Sequence, residues 1–97
     1  MNTLIKNLSK NKPYLFRQFG LVSLGVFGSY ASNTFTKASD VDLVYRLEAG
    51  SVLSFKKVVE LENAIRNVTG VDVVDLVNEQ NMNPIVWLSI RDSLVYV

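Results

Sequence analysis

The sequence predicts an α/β fold, and three observations carry the prediction. Apolar runs of strand length recur at residues 21–27, 40–47 and 71–77. Between the second and third runs, Phe55, Val58, Leu61, Ile65 and Val68 recur in steps of three and four, while Lys56, Lys57, Glu60, Glu62 and Arg66 fall mostly off that face. That is the pattern of an amphipathic helix. Glycines at 20, 50 and 70 punctuate these segments where one element must stop and the next begin.

The elements then follow in order. Leu4, Ile5 and Leu8 have helical spacing behind Asn2 or Thr3 as a cap; Pro13 interrupts the pattern before Tyr14, Leu15, Phe16 and Phe19 resume it. Two short helices, or one broken at the proline, are expected. Residues 21–27 form the first strand, apolar enough to be buried on both faces, and it delivers Gly28 and Ser29 at its carboxyl end. A helical turn over 30–33 and a loop over 34–38 lead to the second strand. Ser51 or Ser54 caps the long helix and Gly70 closes it before the third strand. Residues 78–83 read as a polar loop, Pro84 opens a last helix to about Arg91, and 94–97 make a short terminal strand.

At 97 residues, the length fits a single domain over 1–97, with no room for a separate substrate domain. Apolar residues make up 48% and charged residues 20%, which argues against disorder; a net charge of +1 gives no indication of nucleic acid as a partner. The chain has no cysteine and no histidine, so thiol, imidazole and zinc-finger chemistry are excluded. Any catalysis must run on carboxylates and a metal. No stretch approaches the ~20 apolar residues of a membrane span, and Met1 to Lys12 lacks an apolar run of signal-peptide length, so a cytoplasmic location is expected.

The chemistry concentrates between Val26 and Val44. Asp40 and Asp42 stand two apart at the start of a strand, so their carboxylates leave the same face while Val41 and Leu43 leave the other. Two like charges that close repel, and a cation, a proton or solvent must offset the cost. The Gly28-Ser29 step between a strand and a helical turn aims backbone N–H groups where a phosphate could sit. Ser29 is alternatively an ordinary helix cap. Ser39 is either a turn residue that aligns the aspartates or a phosphate contact, and Lys37 either reaches the phosphates or is simply solvated. Taken together these are parts of a phosphoryl-transfer site. A two-metal site of that kind needs a third acid, and the third strand offers Asp72 and Asp75, which an odd spacing sends to opposite faces.

Gly28-Ser29-Tyr30-Ala31, followed by Ser39-Asp40-Val41-Asp42-Leu43, resembles the two-part G-S-x-A and S-D-x-D-L signature of the minimal nucleotidyltransferases in the DNA polymerase beta superfamily. The resemblance runs from about Phe16 to the C-terminus. Where the family usually has glycine this chain has Asn33, the residue next most tolerant of a left-handed backbone, so the turn is expected to be kept. Val74-Asp75-Leu76-Val77 resembles the family's V-D-L-V element, which favours Asp75 over Asp72 as the third acid.

The resemblance implies a small mixed sheet with packed helices, and transfer of AMP from ATP with Mg²⁺. In its terms Asp40, Asp42 and Asp75 are the catalytic and metal-binding acids, and Gly28 and Ser29, with Ser39 and Lys37, hold the phosphates. Small members of this kind are commonly antitoxins that adenylylate a tyrosine of a HEPN-type ribonuclease toxin. The alternatives are an idle nucleotidyltransferase-fold antitoxin that neutralises by binding, or transfer to a small molecule or nucleic acid. The last helix is apolar on more than one face through Ile85, Val86, Trp87, Leu88 and Ile90. It is either core or a surface for a partner or a second copy.

Overall fold

A computed structural model describes residues 2–97. Helices α1 (Thr3–Lys10) and α2 (Lys12–Phe19) are separated at Asn11, so the proline does not break a helix but opens one, at the position where its missing N–H costs nothing. Strand β1 (Leu21–Phe27), the single-turn helix α3 (Ser29–Ser32), strand β2 (Val41–Leu47) and helix α4 (Phe55–Thr69) follow. Strand β3 (Val74–Asn78), a 3₁₀ turn at Glu79–Asn81, helix α5 (Pro84–Ile90), a second 3₁₀ turn at Arg91–Ser93 and strand β4 (Val95–Tyr96) complete the chain.

The strands form one mixed sheet in the order β3-β2-β1-β4. Strand β1 pairs antiparallel with β2 and β4, whereas β2 and β3 are parallel. A parallel pair needs a crossover, and α4 supplies it. Its N-cap is Ser54, whose hydroxyl accepts from the Lys57 N–H at 3.2 Å, and Gly70 ends it in the left-handed region at φ 73.

Alternation along β2 sorts the sheet into two faces. Val41, Leu43, Tyr45 and Leu47 join Leu4, Ile5 and Leu8 of α1, Leu15 and Phe19 of α2, and Leu61 and Ile65 of α4 in the main core. The opposite face carries Asp42 and Val44. Gly25 on β1 lets that second face be partly covered, because a Cβ there would come within 2.8 Å of Leu94 Cδ2. Three expectations need correction. Strand β1 is not buried throughout: Val22 is the extra residue of a bulge between Leu21 and Ser23, and it is exposed. Phe55 has the right spacing for the core face of α4 but occupies its first position and is 85% exposed. Strand β3 begins at Val74 rather than Val71, so Asp72 lies before it.

Candidate active site

Strand β1 ends at Phe27, and the chain turns at Gly28, whose φ of 73 and ψ of −151 belong to a region open essentially to glycine. A side chain there would also be impossible for a second reason: its Cβ would overlap a carboxylate oxygen of Asp42 and stand 3.2 Å from that group's Cγ. Gly28 is the N-cap of α3, so Ser29 is the first helical residue and not the cap, and no side chain caps this turn. Asn33 ends α3 at φ 61 and ψ 28, the left-handed conformation expected of a residue standing in for glycine.

Asn2 locks this turn from a distance. Its Nδ2 donates to the Tyr30 carbonyl at 2.7 Å and to Asn33 Oδ1 at 3.1 Å, while its Oδ1 accepts from the Ile5 N–H at 2.9 Å. One side chain therefore caps α1 and fixes the far end of the Gly28–Asn33 turn. The sequence signals only the cap; the two long-range bonds have no local signature.

The three acids meet at one end of the sheet. Asp42 and Asp75 are direct register partners in the parallel ladder, so both side chains leave the same face. Asp40 lies one residue before β2 and is exposed, as is Asp75, while Asp42 is half-buried. Burial, then the charge of Asp75, then that of Asp40 push the Asp42 carboxyl above its ordinary value. Asp72 takes a different position. Its carbonyl accepts from Arg66 Nε at 2.8 Å, and its side chain lines a cavity with Asp40 instead of facing Asp42 across the ladder.

Ser39 closes the preceding turn: its hydroxyl accepts from the Thr36 N–H at 2.8 Å and its N–H donates to the Thr36 carbonyl at 3.1 Å. It thereby aligns the segment that carries Asp40. Lys37 and Ser39 lie with Asp40 on the wall of a cavity of about 410 Å³, closed on the other side by Gly70–Val73.

The ion pairs among the described residues involve other acids, which leaves Asp40, Asp42 and Asp75 without a basic partner. Carboxylate oxygens are the donors that a hard divalent cation prefers. Among the described residues, no three side chains are already gathered as a ligand cluster. Oxygen donors of this kind suit a divalent cation such as Mg²⁺, and Asp40, Asp42 and Asp75 are the side chains that could hold one.

A family model described as a nucleotidyltransferase domain matches residues 4–96. The chain belongs to that family. This nucleotidyltransferase is 34% identical over 91 residues to putative protein adenylyltransferase MJ0126 of Methanocaldococcus jannaschii, an alignment covering 93% of this chain and 90% of the relative. A solved structure described as a putative minimal nucleotidyltransferase superposes with a TM-score of 0.74 at 26% identity, over 95% of this chain and 93% of that one. A chain of a toxin–antitoxin crystal structure with AMP-PNP shares the fold, with a TM-score of 0.63 at 24% identity over 79% of this chain and 61% of its own. The nucleotidyltransferase is therefore an enzyme by family, with a mixed α/β sheet of the expected kind. No helix among its described residues is long and apolar enough to cross a membrane.

Proposed function

We propose that this enzyme transfers AMP from ATP to a protein acceptor, a tyrosine of a HEPN-type ribonuclease toxin, and so acts as the antitoxin of a pair. The observation that carries the reading is the register of Asp42 with Asp75, with Asp40 beside them, at the strand ends next to Gly28 and Ser29. The adenylyltransferase name of MJ0126 and the AMP-PNP of the toxin–antitoxin neighbour favour adenylate as the transferred group and a toxin as its acceptor.

In this reading Asp40, Asp42 and Asp75 hold Mg²⁺, which supplies charge neutralisation for the triphosphate when bound. Asp75, at the exposed side of the ladder, accepts the proton of the acceptor hydroxyl as its oxygen bonds to the α-phosphorus and the bond from that phosphorus to the bridging oxygen breaks, releasing pyrophosphate. Gly28 leaves room for the phosphates, and the Ser29 hydroxyl, uncommitted to capping, binds them. Ser39 holds the loop that sets Asp40, and Lys37 offsets phosphate charge at the cavity wall. Water is displaced as the acceptor covers Asp75.

The idle alternative would be favoured by a turn distorted where Asn33 replaces the family's usual glycine, but Asn33 adopts the left-handed backbone that glycine would. The test is transfer of labelled AMP from ATP to the cognate toxin with Mg²⁺, followed by mapping of the modified residue. Label on a toxin tyrosine that disappears with Asp42→Asn supports the reading; neutralisation of the toxin with no label would sink it.

A further inference from the structure

Asp42 and Asp75 are fixed by the ladder, but Asp40 is not. It stands one residue before β2, is exposed, and makes no side-chain hydrogen bond or ion pair among the described residues. Its placement therefore depends on residues 34–39, which lead to it. The hydrogen bonds of that segment close within it or on the Gly28–Asn33 turn. The Thr34 N–H donates to the Ser29 carbonyl at 3.0 Å, and the Thr34 hydroxyl pairs with that of Ser32 at 2.8 Å. Further along, the Ala38 N–H donates to Thr36 Oγ1 at 3.3 Å inside the turn that Ser39 closes. Phe35 is the residue between these two hydrogen-bonded units.

What Phe35 contributes is a stack. Its ring lies on that of Tyr30 at 4.4 Å between centroids and 10° between planes. Tyr30 is a fixed platform: it is buried in the main core, and its carbonyl accepts from Asn2. Phe35 is outside that core and 40% exposed, and it borders a second cavity, of about 380 Å³, together with Asn2, Leu4 and Tyr30. A ring so exposed adds little to the core, and its place is explained by the ring beneath it.

We infer that Phe35 is a positioning residue for Asp40: stacked on Tyr30, it sets the loop that carries Asp40 against the turn that carries Ser29, so that an aromatic pair holds the two halves of the site at one spacing. This rests on the reading of Asp40 as a holder of Mg²⁺ and extends it, because the geometry is then controlled by a residue that contacts neither metal nor phosphate. Without the stack, Thr34 still anchors one end of the loop and the Thr36–Ser39 turn stays closed, but nothing sets the angle between them. An aromatic pair of this geometry favours the ordered arrangement by roughly twofold to tenfold, and that factor is what the site should lose with the ring.

Calorimetric titration of the full chain with ATP and with inorganic tripolyphosphate, each with Mg²⁺, tests it alongside transfer of labelled AMP and a thermal melt. Phe35→Ala should weaken both ligands to the same extent, roughly twofold to tenfold, and lower transfer with them, while the melting temperature stays nearly unchanged. Phe35→Trp, which keeps a ring over Tyr30, should restore binding and transfer. In an Asp40→Asn background Phe35→Ala should have no further effect, because the two changes act on one element. Loss confined to ATP would make Phe35 a contact of the nucleoside, and full additivity with Asp40→Asn would place its effect elsewhere. Either result overturns the inference, as does a lowered melting temperature with both affinities intact. Wild-type binding that Phe35→Ala leaves unchanged overturns the inference alone, whereas wild-type binding of neither ligand overturns the reading of the site together with it.

Discussion

Asp42 on β2 faces Asp75 on β3 as its direct partner in a parallel ladder, the one place in the sheet, among the described residues, where two like charges are set side by side. Elsewhere in that ladder the partners are Val41 with Val74, Leu43 with Leu76, Val44 with Val77 and Tyr45 with Asn78. Two carboxylates so placed repel unless a cation, a proton or solvent offsets the cost. Asp42→Asn and Asp75→Asn should each depress adenylate transfer by roughly 10²-fold or more. Asp72→Asn should change it far less, since Asp72 precedes the strand and does not face Asp42. A transfer assay on the three variants decides; loss with Asp72→Asn and none with Asp75→Asn would place the third acid in the cavity instead of on the ladder.

The raised Asp42 carboxyl has a definite sign in stability. Its folded pKa lies above the unfolded one, so between the two values the folded state binds more protons and stability falls as pH rises. Below both, the group is neutral in either state and costs nothing; at neutral pH the penalty is fully present. Asp42→Asn should therefore melt higher than wild type at pH 7, and the two should converge as pH drops below roughly 4, the ordinary carboxyl range. Mg²⁺ should raise the melting temperature of wild type more than that of the variant. A variant less stable than wild type at pH 7 would mean that Asp42 makes a favourable contact in the fold.

These relations were legible in the sequence to different depths. Parity only sent Asp72 and Asp75 to opposite faces, and the V-D-L-V resemblance favoured Asp75; alternation put Asp42 on the face opposite Val41 and Leu43, which are in the core. Spacing gave α4 its stripe, but Phe55 shows the limit: periodicity says which way a residue points and not whether anything lies there to meet it. Ser29 and Ser39 left alternatives open because a hydroxyl's partner depends on backbone geometry. In the structure Gly28 is the cap, and Ser39 bonds back to Thr36. The cavity beside Phe35 was not readable at all, since its wall combines α1, the loop before β2 and the end of α4.

Gly28 meets two constraints at once, a backbone region reserved for glycine and the closeness of the Asp42 carboxylate. Gly28→Ala should lose roughly 1 kcal/mol or more of stability from the backbone alone and should displace Asp42, so that transfer falls even at temperatures where the variant is folded. Paired denaturation and activity measurements separate the two losses. Combining Gly28→Ala with Asp42→Asn should cost less stability than the sum of the single changes, because the two residues touch. Strict additivity would show that the overlap is relieved elsewhere.

Helix α5 has no buried residue, and Ile85, Val86 and Leu88 are all exposed, Ile85 by 77%. Trp87 is half-buried and differs from them. Ile85→Ser with Leu88→Ser should therefore leave the melting temperature nearly unchanged, within about 0.5 kcal/mol for surface sites, and raise solubility by breaking up the apolar patch. Trp87→Ala should be the destabilising change in this helix. Denaturant midpoints for both variants, with turbidity against concentration, give the comparison. A large loss of stability in the double serine variant would show that the helix is packed more closely than its exposure indicates.

The last prediction concerns Asn2 and Asn33, which join the start of α1 to the end of the turn that carries Ser29. Three variants take the arrangement apart. Asn2→Ser keeps an N-cap oxygen for the Ile5 N–H but removes the donor to the Tyr30 carbonyl and Asn33 Oδ1, whereas Asn2→Ala removes the cap as well. The step from wild type to serine should cost about 1 kcal/mol for the long-range bonds, and the step from serine to alanine about 1 kcal/mol more for the cap. Only the first step should weaken ATP binding, because it frees the far end of the phosphate turn; the second should alter stability alone. Asn33→Gly relieves the left-handed backbone while losing the contact to Asn2, and Asn33→Ala loses the contact and keeps the strain, so alanine should be the less stable of the two by about 1 kcal/mol. If ATP affinity follows stability through all of these variants with no separate drop at the Asn2→Ser step, Asn2 is a helix cap and nothing more.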